Sequence, residues 1–380
     1  MAAKKTRKKR LSGRFAIFFT ILLIVCTVLF LNNRVTSGSL RRLAYLIFSG
    51  VRADATETTV NFDENDYNRF FVHSGNLCVL SPEKLSVYKI SGNTSFSSPI
   101  LLRNPAVTSG SSRFLAYDLG GLNYYVFTKD KLLTSGTSST KIISANMNKS
   151  GNFAIVTDGD NSKNLVTVYN TSFEPIFKFH STEKHVFDAA VSPSGKTLAV
   201  ITYGASEGQF ESALALCKTD SDGFFSTFSL GNSTPLKLSF LSESRVLLVC
   251  DNKTLLFSND GSLLSEISHK GLPVKSLSSI TEKHIAILLD NYQNGGNSKV
   301  LLLRNNGELI GELDFDEDIF SVSTAGNYIS LQFSNRCTVY KNDLTVVSEF
   351  EIPTSVSRCI VSKDGSVLSI SNNSATLFVK

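Results

Sequence analysis

Cysteine and histidine are the side chains in this sequence best suited to metal binding, redox chemistry or nucleophilic catalysis. Five of the six cysteines follow residue 58, and each stands alone in a short apolar run without the spacing of a zinc site. Isolated thiols of this kind are typical of small core residues. We therefore expect five buried thiols, at Cys78, Cys217, Cys250, Cys337 and Cys359.

Other motifs that could support chemistry are incomplete. His180 and His185 lie five residues apart around Ser-Thr-Glu-Lys, which indicates a solvated loop between repeats rather than a metal pair. The run 158–162 (DGDNS) resembles the start of a calcium loop but lacks the later bidentate glutamate. No HExxH, GxSxG, phosphate-binding loop or GxGxxG context occurs. The sequence therefore predicts no catalytic residue, no metal ligand and no cofactor.

The remaining candidates lie in the longest connections between predicted strands. Residues 203–210 (YGASEGQF) and 291–297 (NYQNGGN) each place a Tyr and a Gln beside Gly, and residues 118–123 (DLGGLN) lie on the same side. Exposed loops on a rigid scaffold commonly carry recognition, although insertions without a role would have the same composition. The candidate ligand-binding residues are Asp118, Asn123, Tyr203, Glu207, Gln209, Phe210, Tyr292 and Gln293.

The elements that must position these residues form a repeat. From about residue 58, short apolar or β-branched runs are separated by Ser, Asn, Asp and Gly, which predicts strands and no helix. One recurring turn is of the type in VSPSG (191–195), and a second is a hairpin such as Asp260-Gly261. The first type ends at residues 75, 110, 151, 195, 244, 283, 326 and 365, a mean interval of about 41 residues.

A repeat of about 41 residues with four short strands is typical of a β-propeller blade. Each four-stranded antiparallel sheet is apolar on both faces, so it packs between two neighbours until the ring closes. The turns predict an all-β propeller of eight blades over residues 58–380, or seven if the weak first unit (70–102) is irregular. The last repeat stops after three strands, and we predict that Thr58–Phe62 supplies the missing outer strand.

The first 57 residues differ in composition from the repeat. Residues 1–14 carry seven Lys and Arg and no acid, and residues 15–31 are 17 uncharged positions, about 25 Å as a helix. This pattern predicts a cytoplasmic tail (1–14), one transmembrane helix in the lipid bilayer of the cell membrane (15–31), a juxtamembrane linker (32–57) and an extracytoplasmic propeller. Cleavage as a signal peptide, or a lipoprotein anchored at Cys26, is the alternative, but the sequence lacks a small residue where either cleavage needs one.

The charge distribution argues against one class of partner. The chain has 38 Lys and Arg and 33 Asp and Glu, but eleven of the bases and only two of the acids precede residue 58. The body therefore has a net charge of −4. A mildly acidic body argues against binding to a nucleic-acid backbone.

Three stretches carry a resemblance to known repeats. VSPSGKTLAV (191–200), VSKDGSVLSI (361–370) and MNKSGNFAIV (147–156) resemble the turn-and-strand unit of bacterial β-propeller repeat proteins. The chain has no Trp, so the WD dipeptide and the signature of quinoprotein blades are absent from the sequence. The plan of basic head, single apolar segment and propeller resembles an uncharacterised family of membrane-anchored propeller proteins of Gram-positive bacteria. The resemblance implies a fold and a location, and no active site.

Three functions are compatible with this plan. The first, favoured by the lack of a catalytic motif, is a binding module for a protein, peptide or envelope glycan that uses the long-loop side of the propeller. The second is a scaffold for envelope assembly that acts through the blade edges. The third is a polysaccharide-active enzyme, which requires two carboxylates that converge in the central channel.

Overall fold

The computed structural model describes residues 58–89, 92–206, 208–221, 223–280, 282–290 and 298–378, which contain 32 β-strands and no helix. The strands form eight four-stranded antiparallel sheets. No helix in this part of the chain has the length and apolarity to cross a membrane. The predicted tail, transmembrane helix and linker lie outside the described residues. The prediction of an all-β propeller is confirmed, with eight blades rather than seven.

Blades 1 to 7 each comprise four successive strands, ordered from the inner to the outer edge. Blades 1 and 2 are β2 (Arg69–His73), β3 (Asn76–Leu80), β4 (Lys84–Tyr88), β5 (Thr94–Pro99), β6 (Pro105–Ser109), β7 (Phe114–Asp118), β8 (Asn123–Phe127) and β9 (Leu132–Thr137). Blades 3 and 4 are β10 (Ile142–Met147), β11 (Phe153–Asp158), β12 (Asn164–Tyr169), β13 (Pro175–Ser181), β14 (His185–Val191), β15 (Thr197–Ser206), β16 (Gln209–Lys218) and β17 (Phe224–Gly231).

The next three blades follow the same order. Blades 5 and 6 are β18 (Pro235–Ser242), β19 (Arg245–Cys250), β20 (Lys253–Ser258), β21 (Leu263–Ser268), β22 (Val274–Leu277), β23 (His284–Asp290), β24 (Ser298–Arg304) and β25 (Leu309–Phe315). Blade 7 is β26 (Ser321–Ala325), β27 (Tyr328–Gln332), β28 (Arg336–Lys341) and β29 (Val346–Glu351).

The eighth blade is assembled from both ends of the described chain. Its first three strands are β30 (Arg358–Val361), β31 (Val367–Ile370) and β32 (Ser374–Phe378), and its outer strand is β1 (Thr58–Asn61). Thr59 lies opposite Thr376, and their hydroxyl oxygens are 3.3 Å apart. The Phe62 amide donates to the Asn373 carbonyl at 2.9 Å just beyond the strand. The prediction that Thr58–Phe62 completes the last blade is confirmed, with the strand itself ending at Asn61.

The hydrophobic core is divided among the interfaces between blades. The described residues form eight clusters of buried apolar side chains, and each cluster combines residues of two successive blades. One of them joins Leu77 and Val79 of blade 1 to Leu368 and Leu377 of blade 8. The ring is therefore closed by apolar packing as well as by strand pairing.

The position of a strand within its blade explains its sequence pattern. Every residue of β23 (HIAILLD) is buried, because a neighbouring blade covers each face of this second strand. The outer strand β21 (LLSEIS) instead has its more exposed and less exposed residues in near alternation. Continuous apolar runs thus mark the interior of the ring, and mixed runs mark its rim.

The turns that reveal the repeat also join neighbouring blades. The Asn148 side chain, in the first turn of blade 3, donates to the Ser192 carbonyl of blade 4 at 2.7 Å. The Ser194 amide in turn donates to the Glu243 carboxylate of blade 5 at 2.9 Å. Since these groups lie between the inner and second strands, the same turns hold three successive blades together.

A buried histidine connects the middle strands of blade 5 to the link that follows the blade. His269 is 0% exposed, and its Nδ1 lies 3.2 Å from the Asp251 carbonyl oxygen. Because a carbonyl can only accept, Nδ1 carries the proton and Nε2 accepts from the Thr254 hydroxyl at 2.9 Å. Burial lowers the pKa of His269, against the opposing effects of the Asp251 backbone hydrogen bond and side-chain charge.

The pairing of β1 with β32, which closes the ring and which we call the seam, can be tested by a disulfide across it. We expect Thr59→Cys/Thr376→Cys to form a disulfide on mild oxidation, because these residues are direct partners in adjacent strands. Closing so long a loop should raise the free energy of unfolding by about 2–5 kcal/mol. Thr58→Cys/Ser374→Cys is the control, since these positions are out of register and should not bond. Equal yields of disulfide from both variants would show that β1 does not pair as described.

The pH dependence of stability tests the buried histidine. The pKa of His269 is lower in the folded state than the ordinary value of about 6.5, so the unfolded state binds the proton more readily. The stabilisation is present above about pH 6.5 and is lost as the pH falls toward the folded-state pKa. We expect His269→Asn, which retains a donor for the Asp251 carbonyl, to lose less free energy of unfolding than wild type between pH 7 and pH 5. Identical losses in urea titrations would contradict this assignment.

Candidate binding surface on the loop face

The two ends of the propeller are formed by different connections. Turns from the inner to the second strand, and from the third to the outer strand, lie at one end, the turn face. Connections from the second to the third strand, and links between blades, lie at the other end, the loop face. The described members of the predicted site lie at the loop face, whereas Glu207, Tyr292 and Gln293 lie outside the described residues.

Among the described residues, the strands that project furthest at the loop face belong to blade 4. Strands β15 and β16 have ten residues each, whereas β19 and β20 of blade 5 have six. The difference of about four residues corresponds to roughly 13 Å of extended chain. We call residues 203–212, which form this extension, the arm.

The arm differs from the loop that the sequence predicts at 203–210. Tyr203 pairs with Ser212, and the pairing continues to Ser206 opposite Gln209, so both strands extend through the predicted loop. Gly and Ser are common in turns, but the ladder pairs Gly204 with Glu211 and Ser206 with Gln209. Gly208 adopts the positive φ (+79°) that a tight hairpin needs.

One side of the arm carries a row of aromatic rings. Ala199 and Ile201 are buried between blades 4 and 5, and Tyr203 is the next residue on that side of β15. Because the strands of blade 5 are shorter, the row emerges into solvent. The ring of Tyr203 stacks on His185 with centroids 5.3 Å apart and on Phe210 with centroids 6.3 Å apart. Phe210 is 46% exposed, so the row ends in an accessible aromatic face.

The other side of the arm is polar. Lys184 and Glu211 form an ion pair of 3.3 Å, with both side chains about half exposed. A surface pair of this kind contributes little to stability, because water screens it. The arm therefore has one apolar side and one charged side.

The inner strands provide a second set of exposed apolar residues. Register shifts in β10, β14, β18 and β22, in four successive blades, interrupt the pairing with the second strand. Such β-bulges re-aim a side chain away from the regular alternation. The residues at the shifts nearest the loop face are Ile143, Phe187, Leu236 and Lys275, and β18 has a second shift at Leu241 near its turn. Phe187 and Leu236 are exposed although they belong to inner strands, which places them beside the channel.

Blade 7 adds a further ring at the same end. Phe320 immediately precedes the inner strand β26 and is 50% exposed. The Lys275 ammonium lies 5.5 Å from the centroid of the Phe320 ring, which is within the range of a cation–π contact. We call Phe187, Leu236 and Phe320 the mouth patch.

Asp118 holds the backbone of blade 2 in place. It is buried at the end of β7, and its Oδ1 accepts a hydrogen bond from the Asn104 amide at 2.8 Å. Asp251 makes the equivalent bond to the Thr234 amide at 2.9 Å in blade 5. The recurrence of this contact indicates a structural role in fixing the link between blades.

Asn123 is likewise occupied by bonds within blade 2. Its side-chain amide donates to the Leu101 carbonyl at 3.1 Å and accepts from the Thr137 hydroxyl at 3.1 Å. Of the predicted residues, the structure brings together Tyr203, Gln209 and Phe210 in the arm, where Gln209 is exposed at the start of β16. It does not join Asp118 and Asn123 to this group.

The channel was the predicted location for paired carboxylates. The eight inner strands, all of which are described, contain one acid, Asp188. Burial raises the pKa of Asp188, and the charge of Lys237 opposes that shift. The same strands contain four Arg or Lys residues, at positions 69, 237, 275 and 358. In the inner strands, bases therefore outnumber acids, and one of these bases, Lys275, pairs with Asp290 of β23.

The remaining sequence candidates lie in ordinary structural positions. Cys78, Cys217, Cys250, Cys337 and Cys359 are buried and free, as predicted. Burial raises the pKa of Cys78 and Cys217 to about 12, so these thiols stay protonated. His180 and His185 lie near the end of β13 and at the start of β14, rather than in a loop. Among the described residues, no group of three or more His, Cys, Asp or Glu is arranged to hold a metal ion.

Solved structures show the same architecture. The C-terminal WD40 domain of Sif2 matches 86% of this chain and 98% of its own length, with 11% identity and a TM-score of 0.59. Sqt1 from Saccharomyces cerevisiae matches 84% of this chain and 99% of its own, with 12% identity and a TM-score of 0.55. The β-propeller domain of Cps50 (Swd1) from Myceliophteria thermophila matches 78% and 99%, with 10% identity and a TM-score of 0.51. At such identities the likeness shows the propeller fold alone.

The sequence comparisons give a family. No curated protein matches the chain significantly. The model of the Family of unknown function (DUF5711) matches residues 48–377, which is most of the sequence and includes nearly the whole propeller. The protein belongs to this family.

Proposed function

We propose that the protein is a membrane-anchored, extracytoplasmic binding module that captures a protein, peptide or envelope glycan at its loop face. The observation that carries this proposal is the exposure of aromatic rings there, on the arm at Phe210 and in the mouth patch at Phe187 and Phe320. The backbone itself presents these rings, through extended strands in one case and a bulged inner strand in another.

Exposed rings on rigid strands are well suited to recognition. An aromatic side chain can bury about 150–250 Å² on binding and is enriched among the residues that dominate interface energies. Because Tyr203 and Phe210 lie on paired strands, little conformational entropy is lost when a partner orders them. An apolar segment of a protein or peptide is the partner that the mouth patch favours, and a glycan ring can stack on the same aromatic faces.

The location rests on the amino-terminal sequence. Residues 15–31 are uncharged and long enough to cross the bilayer, and the seven bases in residues 1–14 favour a cytoplasmic amino terminus. This orientation puts the propeller outside the cell, where envelope proteins and glycans are accessible to it.

A scaffolding role is the second candidate, and one observation favours it. The outer strands of six successive blades carry an exposed apolar side chain at their first or second residue, near the turn face. These residues are Leu132, Ile176, Phe225, Leu264, Leu309 and Val346. We call them the rim, and an assembly contact through the blade edges would use them.

The arm and the rim can be compared with matched variants. Phe210 and Phe225 are 46% and 45% exposed, so Phe210→Ala and Phe225→Ala remove the same side chain at the same exposure from opposite ends of the propeller. We expect Phe210→Ala and Phe187→Ala each to reduce capture of envelope partners by about tenfold, because each removes a ring from the interface. The measurement is capture by the full-length protein from envelope fractions, with bound protein and bound glycan quantified separately.

The outcome distinguishes the two candidate functions. The binding proposal expects Phe225→Ala to capture as much as wild type. If Phe225→Ala loses the partners and Phe210→Ala retains them, the rim is the interface and the scaffold is the better interpretation. Circular dichroism and thermal unfolding of each variant verify that the propeller is folded.

Membrane topology can be tested by thiol labelling, because the native cysteines of the propeller are buried. Ser172 is exposed in the last turn of blade 3, so Ser172→Cys supplies an accessible thiol. We expect a membrane-impermeant maleimide to label Ser172→Cys in intact cells. Lys9→Cys, in the basic tail, should be labelled only after the cells are permeabilised.

The parent protein, treated in the same way, measures background labelling. Labelling of Lys9→Cys in intact cells, or protection of Ser172→Cys until permeabilisation, would contradict the proposed orientation. Release of all of the protein from membranes by salt alone would contradict the anchor.

A further inference from the structure

A polar cleft lies at the loop face where blade 8 meets blade 1. Its volume is about 500 Å³, and it is lined by residues from the segment before β2, the starts of β2 and β30, and the connection between β31 and β32. The lining residues used in the argument are Glu64, Asp66, Arg69, Ser357, Arg358 and Asn372. The cleft is on the opposite side of the ring from the arm, because blade 4 is four blades away from blade 8.

Two arginines enter this cleft without a carboxylate partner. Arg69 donates to backbone carbonyls of Asp66 and Asn68, at 3.4 and 3.3 Å, and to the Asn104 side chain at 3.4 Å. The backbone of Arg358 pairs with Ile370 in β31, but its side chain makes no hydrogen bond or ion pair with any described residue. Neither guanidinium is within ion-pair distance of an acid in the described part of the chain. Both groups therefore retain N–H donors for a ligand.

The Arg69 and Arg358 side chains are close enough for their charges to interact, in a cleft that the carboxylates of Glu64 and Asp66 also line. Arg358 reaches solvent, but protein surrounds it closely enough to remove part of its hydration. Burial lowers the pKa of Arg358, and the positive charge of Arg69 lowers it further. Glu64 also lines the cleft, but its Oε1 accepts a hydrogen bond from the Asn372 side chain at 3.1 Å rather than an arginine. An anion between the two guanidinium groups would relieve their repulsion.

We propose that this cleft binds the carboxylate or phosphate of a small hydroxylated molecule, such as a sugar acid or a sugar phosphate. The Arg69 and Arg358 guanidinium groups would hold the anionic group, because a planar fork of N–H donors matches carboxylate and phosphate oxygens. The ligand is either a free molecule or the end of an acidic glycan, and these share the same chemistry.

The rest of the lining suits hydroxyl groups. Asn and Ser side chains predominate around the arginines, at positions 65, 68, 357, 371 and 372. Amides and hydroxyls both donate and accept, as a sugar hydroxyl does. Asn68 is 8% exposed, and its buried Oδ1 has no hydrogen-bond partner among the described residues. The volume is within the range of sites for small molecules.

This site does not depend on the proposed partner surface. The arginines belong to blades 1 and 8, whereas the arm belongs to blade 4. Capture by Phe210→Ala that equals wild-type capture would count against the binding surface alone. Sugar-acid binding by Arg358→Gln that equals wild-type binding would count against the cleft alone.

The test is calorimetric titration of the full-length protein with glucuronate, glucose 6-phosphate, inorganic phosphate and glucose. We expect the two sugar anions to bind and glucose not to, and the binding to weaken as salt is raised. Arg358→Gln should weaken binding of the sugar anions by about tenfold or more, since a charge-assisted contact is lost. Arg304→Gln is the control, because it removes the same charge from the turn face, where Arg304 pairs with Glu308.

Each outcome decides the proposal. Equal binding of glucose and glucuronate, equal binding by wild type and Arg358→Gln, or equal losses in Arg358→Gln and Arg304→Gln would overturn it. If inorganic phosphate binds as tightly as glucose 6-phosphate, the Asn and Ser side chains do not recognise the sugar hydroxyl groups. Tighter binding of an acidic oligosaccharide than of glucuronate would identify the glycan end as the source. Thermal unfolding shows whether Arg358→Gln is folded, which we expect because the Arg358 side chain has no bonding partner among the described residues.

Discussion

The structure depends on the fact that each blade has two apolar faces. A sheet of this kind must have a neighbour on both sides, so a row of eight blades would leave one apolar face exposed at each end. The ring removes both ends by packing Leu77 of blade 1 against Leu377 of blade 8. The outer strand of blade 8 comes from the other end of the sequence, so its pairing with β32 fixes the ring at the point where no covalent turn can do so.

A turn joins the third and outer strands in blades 1 to 7, whereas these two strands pair at the seam without a turn. The register of the pairing differs between the two cases. In blades 1 to 7, the pairing of the third and outer strands shifts register next to their turn. At the seam, where no turn joins the two strands, the described pairing has no such shift. The bulge is therefore a product of the hairpin. Several of these turns have a glycine at positive φ, but Phe173 and Leu344 take that conformation in two of them.

The sequence was sufficient to predict the repeat, because turn chemistry and apolar runs are local signals. It also indicated the closure, since a three-stranded last repeat and a β-prone segment before the first repeat complement each other. It did not predict the arm, because Gly204 and Gly208 indicate a turn equally well whether strands or a loop surround them. The hydrogen bond that Asp118 accepts from the Asn104 amide is likewise a tertiary contact that local sequence does not specify. The bulge that exposes Phe187 depends on a register shift that local sequence does not specify.

Arg69 and Arg358 show most clearly what local sequence does not predict. They lie near opposite ends of the described chain, and only ring closure brings them into one cleft. The cleft and the arm therefore depend differently on the seam. The arm is held by the ladder between its own two strands and by the core between blades 4 and 5. The cleft exists only while blade 8 is packed on blade 1. A site formed at the closure couples ligand binding to the integrity of the ring, whereas a site within one blade does not, since an anion held by both arginines favours the closed form.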